Sequence, residues 1–139
     1  MQKNVILAIK GLHVDAYEES GTVEKLIPAE YYERGGSHYL FFAEEEESGE
    51  QTKTRMKFGA DKLELVRQGS ITTRMVFEKS KLHMTDYRTP FGSFLLGIRT
   101  EKVLLEEQER MLKVLVQYRL EMNGEHASDS RIELCIREA

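Results

Sequence analysis

The stretch from Tyr87 to Thr100 limits the fold more than any other part of the chain. It holds one of only two prolines, in a Thr89-Pro90-Phe91-Gly92 corner between two apolar-rich runs. Pro90 presets φ to about −65°, which suits the second position of a β-turn, and Gly92 takes positive φ without steric cost. Beyond the corner, Phe94, Leu96 and Ile98 alternate with Ser93, Leu95, Gly97 and Arg99. A period of two with one strongly apolar face marks a half-buried strand. The corner is a hairpin in a β-protein.

The rest of the chain follows the same rhythm. Residues 3–14 are apolar and β-branched and read as a first strand, followed by a polar break over Glu18–Gly21. The run Thr22–Arg34 contains Pro28, which belongs at an edge or bulge rather than in a central strand. Gly35-Gly36-Ser37 turns into a run over His38–Glu47, and Lys53–Phe58 alternates charged residues with Thr54, Met56 and Phe58. Gly59–Lys62 is a turn, Leu63 and Leu65 share a face with Arg67, and Gln68-Gly69 turns the chain again. Ile71, Thr73, Met75 and Phe77 alternate, and Leu82–Thr89 leads into the corner. Leu112, Val114, Val116, Tyr118, Leu120 and Met122 alternate without a break, which predicts a long strand over 111–122. Asn123-Gly124 and His126–Ser130 read as a polar loop before a last strand through Ile132, Leu134 and Ile136. Residues 101–110 leave strand and helix both open, because Leu104, Leu105, Gln108, Met111 and Leu112 also fall at helical spacing among good helix formers. Turn signals every 8–12 residues or so between short strands are the pattern of an antiparallel sandwich or barrel.

A length of 139 residues predicts a single domain over 1–139, large enough to bury roughly 68% of the surface of its unfolded chain without disulfide or metal. The balance of 20 basic against 24 acidic residues, net −4, argues against general nucleic-acid binding, so no nucleic-acid partner is expected. Cys135 is the only cysteine; one thiol cannot form an internal disulfide, which fits a reducing, cytoplasmic setting. The apolar run Val5–Ile9 is too short for a signal peptide, and no run is long enough to span a bilayer, so no membrane partner is expected.

The motifs Arg67-Gln68-Gly69, Met75-Val76-Phe77 and Tyr87-Arg88-Thr89-Pro90-Phe91-Gly92, with Thr100 and the Tyr118 strand, resemble those of the YwiB-like family of uncharacterised bacterial proteins. The resemblance covers nearly the whole chain. It implies an all-β fold, a closed or nearly closed antiparallel up-and-down barrel of about eight to ten strands, calycin- or lipocalin-like. It implies no activity. The chain departs from the family pattern at Phe42-Ala43-Glu44, where an aromatic is expected beside the glutamate, and at Glu109-Arg110, a hairpin without its expected glycine.

Chemistry-bearing residues are sparse. His13, His38, His83 and His126 lie far apart and form no metal-ligand spacing, the serines lack a nucleophile-elbow context, and no glycine pattern matches a phosphate loop. Catalytic residues, metal ligands and cofactors are therefore not expected, and an enzyme ranks behind other readings. Glu44–Glu47 entering Ser48-Gly49 is more simply a solvated hairpin end than a cation site, and Cys135 a small core or wall residue. Charge on an apolar face is more informative. Arg67 sits with Leu63 and Leu65, and Glu44 with Leu40 and Phe42, so both point into one lumen, where each satisfies the other as an ion pair. Such a pair either plugs the barrel or anchors an anionic ligand. Tyr87 and Tyr118 are expected in the same cavity, and Met56, Phe58, Met75, Phe77, Phe94 and Leu96 supply apolar walls. The expected function is a non-enzymatic module that binds a small apolar or anionic molecule. The alternative is a structural or interaction domain with a filled lumen, and a homodimer stays open.

Overall fold

Alternation of apolar and polar residues builds strands here because a pleated strand sends successive side chains to opposite faces. The computed structural model describes residues 1, 3–11, 24–45 and 49–139. Those residues form ten strands and no helix: β1 (Asn4–Lys10), β2 (Glu24–Arg34), β3 (Ser37–Glu45), β4 (Gln51–Phe58), β5 (Lys62–Gln68), β6 (Thr72–Glu78), β7 (Leu82–Thr89), β8 (Gly92–Gln108), β9 (Met111–Met122) and β10 (Glu125–Glu138). Each pairs antiparallel with the next, and β1 closes the barrel by pairing with β10 as well as β2. The up-and-down order puts the turns after β5, β7 and β9 at one end, here called the upper end. The turns after β2, β4, β6 and β8 lie at the lower end.

Half of the lumen is layered by direct cross-strand partners. The upper layer runs Phe42, Thr54, Arg67, Thr73, Tyr87, Phe94 from β3 to β8. Beneath it lie Leu40, Met56, Leu65 and Met75, and then His38, Phe58, Leu63 and Phe77. The lower two layers are sealed, with Leu40, Met56, Leu63, Leu65, Met75 and Phe77 all buried in one apolar core.

Residues 101–108 are strand and 109–110 a turn, with no helix: β8 runs unbroken to Gln108. Thr100 pairs with Tyr118 and Lys102 with Gln117, so Glu101 is an extra, bulged residue. It shifts the inward phase from Ile98 and Thr100 to Val103 and Leu105, leaving Leu104 outside. That one-residue slip creates the apparent helical spacing. A second bulge corrects the expected loop at His126–Ser130. Strand β10 begins at Glu125, and its register shifts between His126 and Ser128. Asn123 and Gly124 both have positive φ, as a type I′ hairpin turn requires. The Glu109-Arg110 turn closes with no positive φ, so it needs no glycine. The corner at Pro90 is a hairpin with Thr89 paired to Gly92, whose φ is +137°.

Pro28 explains a local gap. Tyr31 N–H donates to the Lys3 carbonyl on the β1 side (2.8 Å), so the even-numbered residues of β2 turn their backbone groups toward β3. Pro28 has no N–H to offer there, and the β2–β3 ladder ends at Glu30–Phe41. The first half of β2 is thus the local edge that a strand proline requires. Residues 12–14, the break over Glu18–Gly21, and Glu46 to Ser48 lie outside the described residues.

Candidate functional site

Arg67 reaches the lumen because β5 alternates: Leu63 and Leu65 point inward and are fully buried, and Arg67 continues that face. The expected partner is not there. Glu44, at the inner rim of β3, is bonded instead by the Lys25 ammonium across the gap above Pro28, at 3.1 Å. Glu44 lies on the row of Thr52, one layer above the Phe42–Thr54–Arg67 row, so the register offsets the two charges. The Arg67–Glu44 pair is therefore corrected: β2 supplies the cation that Glu44 needs.

Arg67 is left facing protein groups that do not satisfy it. Its Nε is buried and has no hydrogen-bond partner among the described residues. Its cross-strand neighbour Thr54 is 3% exposed, with a hydroxyl that is equally unpartnered. On the other side, the Thr73 hydroxyl donates to the Asp86 carbonyl at 3.0 Å. Tyr87, buried on the same layer, completes the arc. The upper lumen thus offers a guanidinium, a free hydroxyl and a phenol in one cross-strand row. Thr54 is the member that sequence reasoning missed. Its inward alternation with Met56 and Phe58 was the available signal.

Tyr118 sits deeper, buried between Thr100 on β8 and Ser130 on β10. Its ring meets Phe77 edge-on at 4.9 Å between centroids. Burial pushes its phenol up to about 12, against the opposing effect of a hydrogen bond with Ser130, and Tyr87 adds to the rise. Tyr87 and Tyr118 both belong to the one buried core. The Thr100 hydroxyl beside Tyr118 is buried without a partner among the described residues. Met75 and Phe77, expected as ligand walls, are 1% and 0% exposed and lie in the two layers below the arginine.

A second polar group lies at the lower end. His38, 3% exposed, stacks on Phe58 and has both ring nitrogens occupied. The Glu107 carboxylate is 2.8 Å from Nε2 and the Tyr31 hydroxyl 2.5 Å from Nδ1. A carboxylate only accepts, so Nε2 carries a proton toward Glu107; in the neutral ring Nδ1 then accepts from the Tyr31 hydroxyl. Burial, with Glu33 and Glu107 nearby, pushes the Tyr31 phenol up to about 12. The group is internally satisfied and ties β2, β3 and β8 together. The other described histidines bond singly, His83 to Glu78 and His126 to Asp129. Among the described residues no group of three or more His, Cys, Asp or Glu is placed to hold a metal. Cys135 faces the outer wall between Ala8 and Lys113. Among the described residues no helix is long and apolar enough to cross a membrane.

The crystal structure of YwiB from Bacillus subtilis superimposes on 99% of this chain and 92% of its own, with a TM-score of 0.80 at 19% sequence identity. At that identity the likeness is one of fold. No curated protein matches the chain. The model of the domain of unknown function DUF1934 matches residues 7–134, nearly the full length, and the chain therefore belongs to the DUF1934 family.

Proposed function

We propose that the barrel is a non-enzymatic module that holds a small anionic molecule at its upper end, with Arg67 as the charge anchor. One observation carries the reading: Arg67 turns a buried, unpartnered Nε into the lumen directly beside the unpartnered Thr54 hydroxyl. Burying part of a guanidinium without a partner costs several kcal/mol, a burden that an anion accepting from both donors removes. Thr54 adds a second donor and Tyr87 a third polar surface. The sealed layers under Arg67 restrict the ligand to something short, such as a small carboxylate or phosphate, rather than a long acyl chain. The same reading groups the barrel with calycin- and lipocalin-like proteins on its meander order, and with the cytoplasm on its lone thiol.

A second reading, a structural or interaction domain, is supported by the tight filling of the lower lumen. Native mass spectrometry of the purified protein separates the two. The expected result is a bound small anion on the wild type that is absent from Arg67→Met, while the variant melts no lower than ligand-free wild type. A wild type that carries no extra mass, and whose melting temperature ignores added phosphate and acetate, overturns the binding reading.

A further inference from the structure

The outer wall of the barrel carries a feature unrelated to the lumen. Along β4 the outward side chains are Gln51, Lys53, Arg55 and Lys57, three cations in line with no acid between them. Alternate residues of a strand stand about 6.8 Å apart, so the charges form an evenly spaced rail. Aromatic rings border it on β3. Phe41 is the direct cross-strand partner of Arg55, and Tyr39 that of Lys57. The Lys57 ammonium lies 5.7 Å from the Tyr39 ring centre, while Phe41 is 37% exposed and meets Tyr32 edge-on at 5.8 Å. Neither Lys53 nor Arg55 makes an ion pair among the described residues. On the far side of the rail, Arg74 extends the Phe41–Arg55–Val66 row. Two acids lie in these rows: Glu64, engaged by Lys62 at 3.1 Å and Arg74 at 3.6 Å, and Glu30, opposite Phe41 on β2, which accepts from the Tyr32 hydroxyl at 3.1 Å. Two shallow pockets of about 770 and 460 Å³ both include Phe41, Arg55 and Val66, so they meet in one depression over the rail.

We propose that this face binds single-stranded nucleic acid, with phosphates following the β4 cations and a base stacked on Phe41. A single strand is the partner that presents both features at once, a repeating negative charge and open π-faces. A duplex hides its base faces, and an acidic peptide leaves the exposed ring unused. The net charge of −4, which argues against nucleic acid for the chain as a whole, averages over this wall.

Fluorescence anisotropy with labelled oligouridylate and oligothymidylate of ~12 nucleotides, within known single-strand site sizes, tests the proposal on the full chain. A duplex of the same length serves as control. Both single strands are expected to bind more tightly than the duplex, and the tighter of the two identifies RNA or DNA as the partner. Engagement of three cations gives a slope of about −2 in log affinity against log salt. Phe41→Ala is expected to weaken binding about tenfold with the salt slope unchanged, whereas Arg55→Gln makes the slope shallower by roughly 0.7. Both side chains point outward, so circular dichroism should match the wild type; if either variant is misfolded, Lys53→Gln supplies the same slope test. No anisotropy change at low salt, a duplex bound as tightly as the single strands, or affinities within twofold for Phe41→Ala and Arg55→Gln overturns the proposal.

Discussion

Two glycines show how single residues hold this barrel in different ways. Gly92 sits at φ +137° with nothing within 4 Å of a would-be Cβ, so a side chain there meets backbone strain alone. Gly92→Ala is expected to lower stability by about 1 kcal/mol in urea unfolding. Gly69 follows the Arg67-Gln68 pair, and its Cβ would fall 2.8 Å from both the Gln51 carbonyl oxygen and the Thr52 Cα, which are backbone atoms and cannot swing away. Gly69→Ala should therefore cost more than Gly92→Ala in the same assay. Arg67 makes the opposite kind of prediction. With Lys25 holding Glu44, a double-mutant cycle of Arg67→Met with Glu44→Leu should give a coupling within about 0.5 kcal/mol of zero. A coupling of about 3 kcal/mol or more would restore the buried pair. The inward face of Arg67 was readable from Leu63 and Leu65. Its missing partner was not, because Glu44's choice of Lys25 depends on the β2–β3 gap made by Pro28, a long-range feature absent from local alternation.

At the scale of elements, the chain is legible wherever one phase of alternation runs from end to end. Strand β9 is such a case, its even-numbered residues from Leu112 to Leu120 all buried. Strands β8 and β10 are not, because Glu101 and the residue between His126 and Ser128 each reverse the phase midway. A bulge leaves no composition signal, so its effect reads as helix in one strand and as loop in the other. The phase change is itself testable. Deleting Glu101 should turn Val103 and Leu105 outward and drive Leu104 into the core, since a slip of one residue exchanges the faces of a strand. The expected result is loss of the cooperative unfolding transition. A deletion variant that melts within a few degrees of wild type would show that Glu101 is not the residue resetting the phase.

For the molecule as a whole, the buried phenols set a limit on the alkaline side. Tyr31 and Tyr118 are both pushed up to about 12, chiefly by burial, whereas a phenol in the unfolded chain titrates near 10. Between those values the unfolded chain releases protons that the folded barrel retains, so stability falls as pH rises from about 10 to 12 and is complete below that window. Near-ultraviolet phenolate absorbance should show Tyr31 and Tyr118 ionising only as the barrel unfolds. Ionisation of all six tyrosines in one step, with the far-ultraviolet spectrum still native, would contradict this. Closure of the barrel has a kinetic consequence as well. Every ladder but one joins neighbours along the chain, while β1 and β10 must meet across almost its full length, with Leu7 opposite Ile136. The entropy of closing so long a loop is met only after the local hairpins exist, which makes the β1–β10 ladder the last to form. The barrel should fold on the millisecond-to-second scale, and in hydrogen-exchange pulse labelling the amides of β1 should gain protection after those of the β8–β9 hairpin.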